Sequence, residues 1–222
     1  MKARAIHTTV RGRRSGMTLV EVVITACVLA MLLGAVGNTV LHGNNAYKQG
    51  LSNAVLEGQT RRLLDRISSE FSDVDRSSLN PNPLAPFWAS TVDYARCQGW
   101  AGGAMLVGPT RRIQLALEAG EIDNGIDDNG NGLIDERCVV LVPDTAAPGK
   151  TIMLGSYVRE CAEGETQNGV DEDGNGLTDE PGLFFRHDGN GTLHISLTLE
   201  RPDAWGRLVT RTLRTAVRMR ND

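Results

Sequence analysis

The sequence predicts an α+β fold: one long N-terminal helix, hydrophobic and then amphipathic, packed on an antiparallel β-sheet domain. Three observations predict it. An apolar stretch runs from Met17 to about Leu41. Apolar residues at helical-turn spacing continue it to Val74, with no proline before Pro81. Beyond the Asn80-Pro81-Asn82-Pro83 cluster, the pattern changes to apolar and polar residues in alternation. The first two are helix signatures, and the third belongs to half-buried strands. The expected organisation is a leader at 1–16, a membrane or assembly segment at 17–41, an amphipathic helical segment at 42–79 and a β-rich globular domain at 80–222.

The leader carries Lys2, Arg4, Arg11, Arg13 and Arg14 and ends in Gly16-Met17-Thr18-Leu19-Val20-Glu21. An ionised side chain in an apolar segment costs on the order of 3 kcal/mol on the mildest insertion scale, so Glu21 needs a reason to be there. Gly16 followed by Met17-Thr18-Leu19-Val20-Glu21 resembles the class III signal of type IV pilins and type II secretion pseudopilins. The resemblance implies cleavage after Gly16 by a prepilin peptidase and N-methylation of Met17. It also implies that the Glu21 carboxylate pairs with a neighbouring subunit's N-terminal amine during assembly. A secretory signal peptide, with Ala35-Val36-Gly37 as a weak cleavage site, and a plain membrane anchor are the alternatives. The length of the apolar run and the presence of Glu21 weigh against both. Positive residues ahead of the apolar segment orient it with the leader cytoplasmic and the remainder exported.

The helix is expected to run on past the membrane segment. Tyr47, Leu51, Val55, Leu63, Ile67, Phe71 and Val74 define its apolar face, and Arg62, Arg66 and Glu70 its polar flank. About 60 residues at 1.5 Å each would make a rod of roughly 90 Å. Gly34, Gly37 and Gly43 weaken its middle by about 1 kcal/mol each relative to alanine. By the family resemblance, the first half packs with other subunits and the second docks on its own domain.

Strands are expected at 104–107, 112–117, 139–142 and 152–158. Leu193, Ile195, Leu197 and Leu199 alternate strictly with polar residues after an Asp188-Gly189-Asn190-Gly191 turn, and a last strand runs from Leu208 to Met219. Such alternation describes an antiparallel sheet with one buried face, whose natural cover is the amphipathic helix. The segments Gln59 to Ile67 and Thr212 to Asn221 resemble J-type minor pseudopilins and W-type minor pilins.

Two acidic segments repeat each other, 123–136 (DNGIDDNGNGLIDE) and 167–180 (QNGVDEDGNGLTDE). Oxygen-bearing side chains at alternate positions, then glycine, an apolar residue and another acid, suit a hard cation taking six to eight oxygen ligands. The loops resemble the calcium loops of dockerins and thrombospondin type 3 repeats. That resemblance implies two structural Ca²⁺ sites. Asp127, Asn129, Asn131, Asp135 and the Leu133 carbonyl would form the first, and Asp171, Asp173, Asn175, Asp179 and the Leu177 carbonyl the second. A twelve-residue loop counted from Asp127 or Asp171 ends on Cys138 or Gly182, not on a bidentate glutamate; Glu136 and Glu180 lie two residues too early, so either the loop closes differently or each site lacks its last ligand. Residues 118–136 and 160–180 hold 15 of the 27 acids and no base. Unless cations neutralise them, these loops repel themselves. Solvated acidic turns are the plainer alternative.

Removal of the five basic leader residues would take the formal net charge from −4 to −9. An acidic protein is a poor match for nucleic acid, whose non-specific binding rests on clustered Lys and Arg. Cys27 lies in the apolar segment, while Cys97, Cys138 and Cys161 lie in the exported part, where disulfides persist. Cys138 and Cys161 each abut an acidic loop and are the expected disulfide, other pairings remaining open. His187 and His194 are too isolated for a triad or zinc site and are expected at the surface. Trp88, Trp100 and Trp205 are expected in a core or interface. No catalytic constellation is present, so a non-enzymatic role is expected: a minor pseudopilin or pilin that helps initiate or cap a filament for secretion or pilus biogenesis. Its partners would be other major and minor subunits, the prepilin peptidase and the inner-membrane assembly platform. Its expected location is the inner membrane with the domain in the periplasm, and then the pseudopilus or pilus. The rival is a calcium-dependent adhesin or ligand-binding module on a pilin-like stem.

Overall fold

The computed structural model describes residues 16–147 and 149–219, so the leader ahead of Gly16 lies outside the described residues. The fold is α+β, a long helix and an antiparallel sheet of eight strands. By compactness the chain divides after Tyr47. In the first unit the helix α1 (Leu19–Phe71) exposes every described side chain. It is long and apolar enough to cross a membrane.

In the second unit α1 becomes one-sided. Leu56, Thr60, Leu63, Leu64, Ile67 and Phe71 are buried, recurring every three or four residues as a core-facing stripe requires. Leu51 and Val55, expected on that face, are exposed, and so is Tyr47 in the first unit. The buried stripe starts only at Leu56. The helix also stops short of the expected 79, at Phe71. The following backbone is taken over by the sheet: the Asp75 amide donates to the Ala95 carbonyl at 3.0 Å and the Cys97 amide to the Asp73 carbonyl at 2.8 Å. Asp75 then caps a single 3₁₀ turn, Arg76–Ser78.

The strands are β1 (Phe87–Ala89), β2 (Val92–Ala101), β3 (Ala104–Leu117), β4 (Arg137–Val142), β5 (Ile152–Val158), β6 (Leu183–His187), β7 (Thr192–Pro202) and β8 (Leu208–Arg218). Their order is β1-β6-β7-β5-β4-β3-β2, with β8 on β7. The two stretches expected at 104–107 and 112–117 are one strand. β1, β2 and β6 were not legible as strands. Bulges near Ala95, Cys97 and Gly99 break the alternation of β2, and β6 is a short buried run with little alternation.

Leu193, Ile195, Leu197 and Leu199 of β7 are 0–2% exposed and join Leu63, Ile67 and Phe71 of α1 in one core. Phe71 packs against Tyr94 and Phe185 with ring centroids 4.7 and 5.6 Å apart. The Glu70 carboxylate accepts from the Tyr94 hydroxyl at 3.0 Å and pairs with Arg111 at 2.7 Å, so the end of the helix is tied to β2 and β3.

The helix packs tightly on Gly155 of β5. A Cβ there would lie 2.6 Å from one Leu63 methyl and 2.9 Å from the other. Gly155→Ala is therefore expected to destabilise the fold by about 1–3 kcal/mol, the usual penalty for overpacking. Urea midpoints would register it, and Leu63→Ala in the same background should recover part of the loss. An unchanged midpoint would show that the helix can lift off the sheet at this point without cost.

Candidate functional site

Two regions hold the residues singled out by the sequence. At the head of α1, Gly16 and Met17 are exposed and precede the first helical residue. Glu21 is exposed, and its carboxylate accepts from the Thr18 amide at 3.5 Å while the Thr18 hydroxyl accepts from the Glu21 amide at 3.3 Å. This Thr-x-x-Glu exchange is a capping box, a local role for the acid that the motif reading missed.

The second region is the pair of acidic loops. The first joins β3 to β4 and the second joins β5 to β6. Since Arg137 pairs with Val158 across β4 and β5, the end of the first loop lies beside the start of the second. Arg137 spans the junction, 3.3 Å from Asp123 and 3.0 Å from Glu160.

The two loops adopt the same backbone. Gly120, Gly125, Gly130 and Gly132 have φ of 99, 77, 75 and 89°, and Gly164, Gly169, Gly174 and Gly176 have 97, 78, 73 and 88°. Asp135 and Asp179 are left-handed in both, at 49 and 51°. The structural repeat therefore starts at Gly120-Glu121 and Gly164-Glu165, ahead of the segments 123–136 and 167–180.

The hydrogen bonds repeat as well. One Asp127 oxygen accepts from the amides of Gly130 and Asn131 at 2.6 and 3.2 Å, and the other from Gly132 at 2.8 Å. Asp171 does the same with Gly174, Asn175 and Gly176 at 2.7, 3.1 and 2.8 Å. The side-chain oxygens of Asn129 and Asp173 turn inward to the amides two residues on, at 3.0 Å in both loops. Asn131 and Asn175 likewise accept from Leu133 and Leu177 at 2.9 Å.

Asp135 and Asp179 have a different occupation. The Asp135 carboxylate accepts from the Asn124 and Gly125 amides at 3.0 and 2.7 Å. Asp179 holds Asn168 and Gly169 at 2.9 Å each. These two aspartates fasten the entrance of each loop to its exit. Leu133 is 1% exposed and anchors the first loop in the protein, while Leu177 is half-buried.

Four glutamates outside the expected ligand sets are buried, Glu121 (8% exposed), Glu136 (2%), Glu165 (0%) and Glu180 (1%). Each has one oxygen engaged by its loop and a second oxygen, Oε2, buried without a hydrogen-bond partner. Glu165, Asp171 and Asp173 bring a carboxylate oxygen each within 4.8 Å of one another. Burial pushes the Glu165 carboxyl above its usual range; the Asp173 amide opposes this and the charges of Glu180 and Glu172 add to it. Solvated acidic turns would not bury four carboxylates in this way. The residues fit a hard, oxygen-seeking cation, which would supply the positive charge these oxygens lack. The Gly-Glu pairs at 120–121 and 164–165 were the signal available in the sequence.

The expected Cys138–Cys161 disulfide is corrected: both are free and buried, and Cys97 and Cys27 are free too. Cys138 pairs with Ala116 inside β4, whereas Cys161 lies beyond the Arg137–Val158 pair, bridged to Pro181. From that pair, β4 carries Cys138 one way and the chain leaving β5 carries Cys161 the other. His187, expected at the surface, is fully buried on β6 and stacks on Phe87 at 5.4 Å, whereas His194 is exposed. Trp88, Trp100 and Trp205 are 46, 68 and 42% exposed and are not core residues. An open groove of 720 Å³ lies between the second loop and the sheet, lined among others by Trp88, Leu177, Glu180, Arg186, His194 and Arg214.

Fold and site define an α+β protein with a helix able to cross a membrane and a domain bearing a twice-repeated acidic loop. No family model, curated protein or solved structure matches the chain.

Proposed function

We propose that this chain is a non-enzymatic minor subunit of a type IV pilin-like filament, of the type II secretion or pilus class. It is inserted in the inner membrane by the first part of α1 and carries its calcium-stabilised domain in the periplasm until extracted into the filament. The observation that carries this reading is Glu21. It is an acid near the start of an apolar helix, five residues after Gly16, and the helix around it leaves its whole circumference free for lipid or neighbouring helices. The continuation of that helix into the core of an antiparallel domain supports the same reading. By this assignment the helix is both anchor and filament spine, and the domain is what the filament presents.

Processing tests it. Mass spectrometry of the membrane-extracted protein is expected to find an N-terminus at methylated Met17, and Gly16→Leu should leave the precursor uncut. A mature start beyond Leu33 would point to ordinary signal peptidase and sink the assignment.

The groove beside Trp88 favours a second reading, a calcium-dependent ligand-binding module on the same stem. Gene neighbourhood separates the two: genes for other minor subunits alongside favour assembly, and an isolated gene favours adhesion.

A further inference from the structure

The expected ligand sets lack a closing carboxylate, and the structure offers two buried candidates in each loop: Glu121 and Glu165 ahead of the twelve-residue frame, and Glu136 and Glu180 two residues before its end. We infer that Glu121 and Glu136 complete the first cation site and Glu165 and Glu180 the second. This rests on the reading of the loops as cation sites and adds the residues that close them.

The unpartnered oxygens carry the assignment. A carboxylate oxygen removed from water without a partner is costly, and native proteins rarely leave one so. Here one carboxylate oxygen is left so in each of four glutamates at equivalent places in two loops. The arrangement recurs in both copies of the repeat, as expected of a device the repeated sequence encodes.

The partner oxygen, Oε1, is held in a matching way in each loop. Glu121 Oε1 accepts from the Asn129 amide at 2.9 Å, and Glu165 Oε1 from the Asp173 amide at 3.1 Å. Glu136 Oε1 accepts from the side chains of Asn129, at 2.7 Å, and Asn131; Glu180 Oε1 accepts from Asn175 at 2.6 Å. Each glutamate is thus anchored by one oxygen to a residue of the proposed ligand set, with its other oxygen left free. In the second loop the Glu165 oxygen is within 4.8 Å of those of Asp171 and Asp173, close enough for one ion to touch all three.

A glutamate six positions ahead of the first aspartate therefore does the work that the twelfth position does in an EF-hand. The glutamate directly after Asp135 or Asp179 supplies the second closing carboxylate. The ligand sets differ by one charge, because Asn129 of the first loop stands where the second has Asp173. Affinity follows ligand charge, so the second site is expected to be the tighter.

Calcium titration calorimetry on the full-length protein in detergent micelles tests this, with one site silenced at a time. In an Asp127→Ala background, Glu165→Gln and Glu180→Gln are each expected to weaken binding at the second site at least about tenfold. In an Asp171→Ala background, Glu121→Gln and Glu136→Gln should do so at the first. Unchanged affinity in any of the four overturns that residue's assignment while leaving the loops as cation sites. Absence of calcium binding in the wild type would remove the loop reading itself, and this inference with it. Should a glutamine variant fail to fold, infrared spectra of wild-type protein carrying ¹³C-labelled glutamate carboxyls decide. A calcium-dependent shift of glutamate carboxylate bands supports the assignment, and shifts confined to aspartate bands overturn it.

Discussion

Chelation of calcium is expected to lower the melting temperature of the loop-bearing domain by roughly 10–20 °C. A ligand that binds only the folded state adds RT ln(1 + [L]/Kd), about 2.7 kcal/mol when calcium is a hundredfold above Kd. Two independent sites contribute about twice that, and each kcal/mol moves the midpoint of a domain this size by about 2–4 °C. The structure supplies the reason for a large effect, because the glutamates Glu121, Glu136, Glu165 and Glu180 are buried in loops that contain no basic residue. Calorimetric melting of a fragment starting at Lys48, where the second compact unit begins, makes the measurement. Asp127→Ala together with Asp171→Ala should abolish the difference between calcium and chelator. Magnesium should substitute poorly, since its small octahedral shell dehydrates reluctantly. Melting that is indifferent to chelator would reduce the repeats to acidic turns.

Glu21→Val is expected to insert normally into the membrane and yet to be recovered in filaments at roughly a hundredth of the wild-type level. The estimate converts about 3 kcal/mol, the lower range for stranding one member of a buried ion pair, here the neighbour's N-terminal amine. The capping box at Thr18 offers a competing explanation for the acid, and glutamine separates the two. Glutamine keeps the cap but not the charge. If pairing with the amine matters, Glu21→Gln should fail as valine does. If only the cap matters, it should assemble like the wild type. Quantitative immunoblotting of sheared filaments against the membrane fraction distinguishes these results.

Local patterning was legible wherever one residue's environment repeats along the chain. The apolar run before Leu41, the alternation at Leu193, Ile195, Leu197 and Leu199, and the turn at Asp188 to Gly191 all reached the structure as expected. Strand β2 did not, because its bulges shift the inward positions by one and erase the period on which such a reading depends. The end of the helix was misplaced for a related reason. Val74 is buried as helical spacing would require, but a bridge to Arg96 holds it, not another turn of helix.

The loops show the same division at the level of a site. Alternating Asp and Asn with glycines at left-handed positions is a local code, readable without neighbours, and both loops carry it in the same conformation. Whether a given carboxylate faces the centre of a loop or fastens its ends depends on which amides the folded chain brings to it. Asp135 and Asp179 are taken by the amides at the loop entrance. Glu121 and Glu165, outside the recognised frame, are turned inward and closed off from water. The sequence by itself determined the fold class, the apolar helix with its acid and the oxygen-rich repeats, since each follows from residue type at short spacing. Tertiary structure decided the helix boundary, the separation of Cys138 from Cys161 and which glutamates lost their water, because burial belongs to the assembled sheet and loops and not to any segment alone.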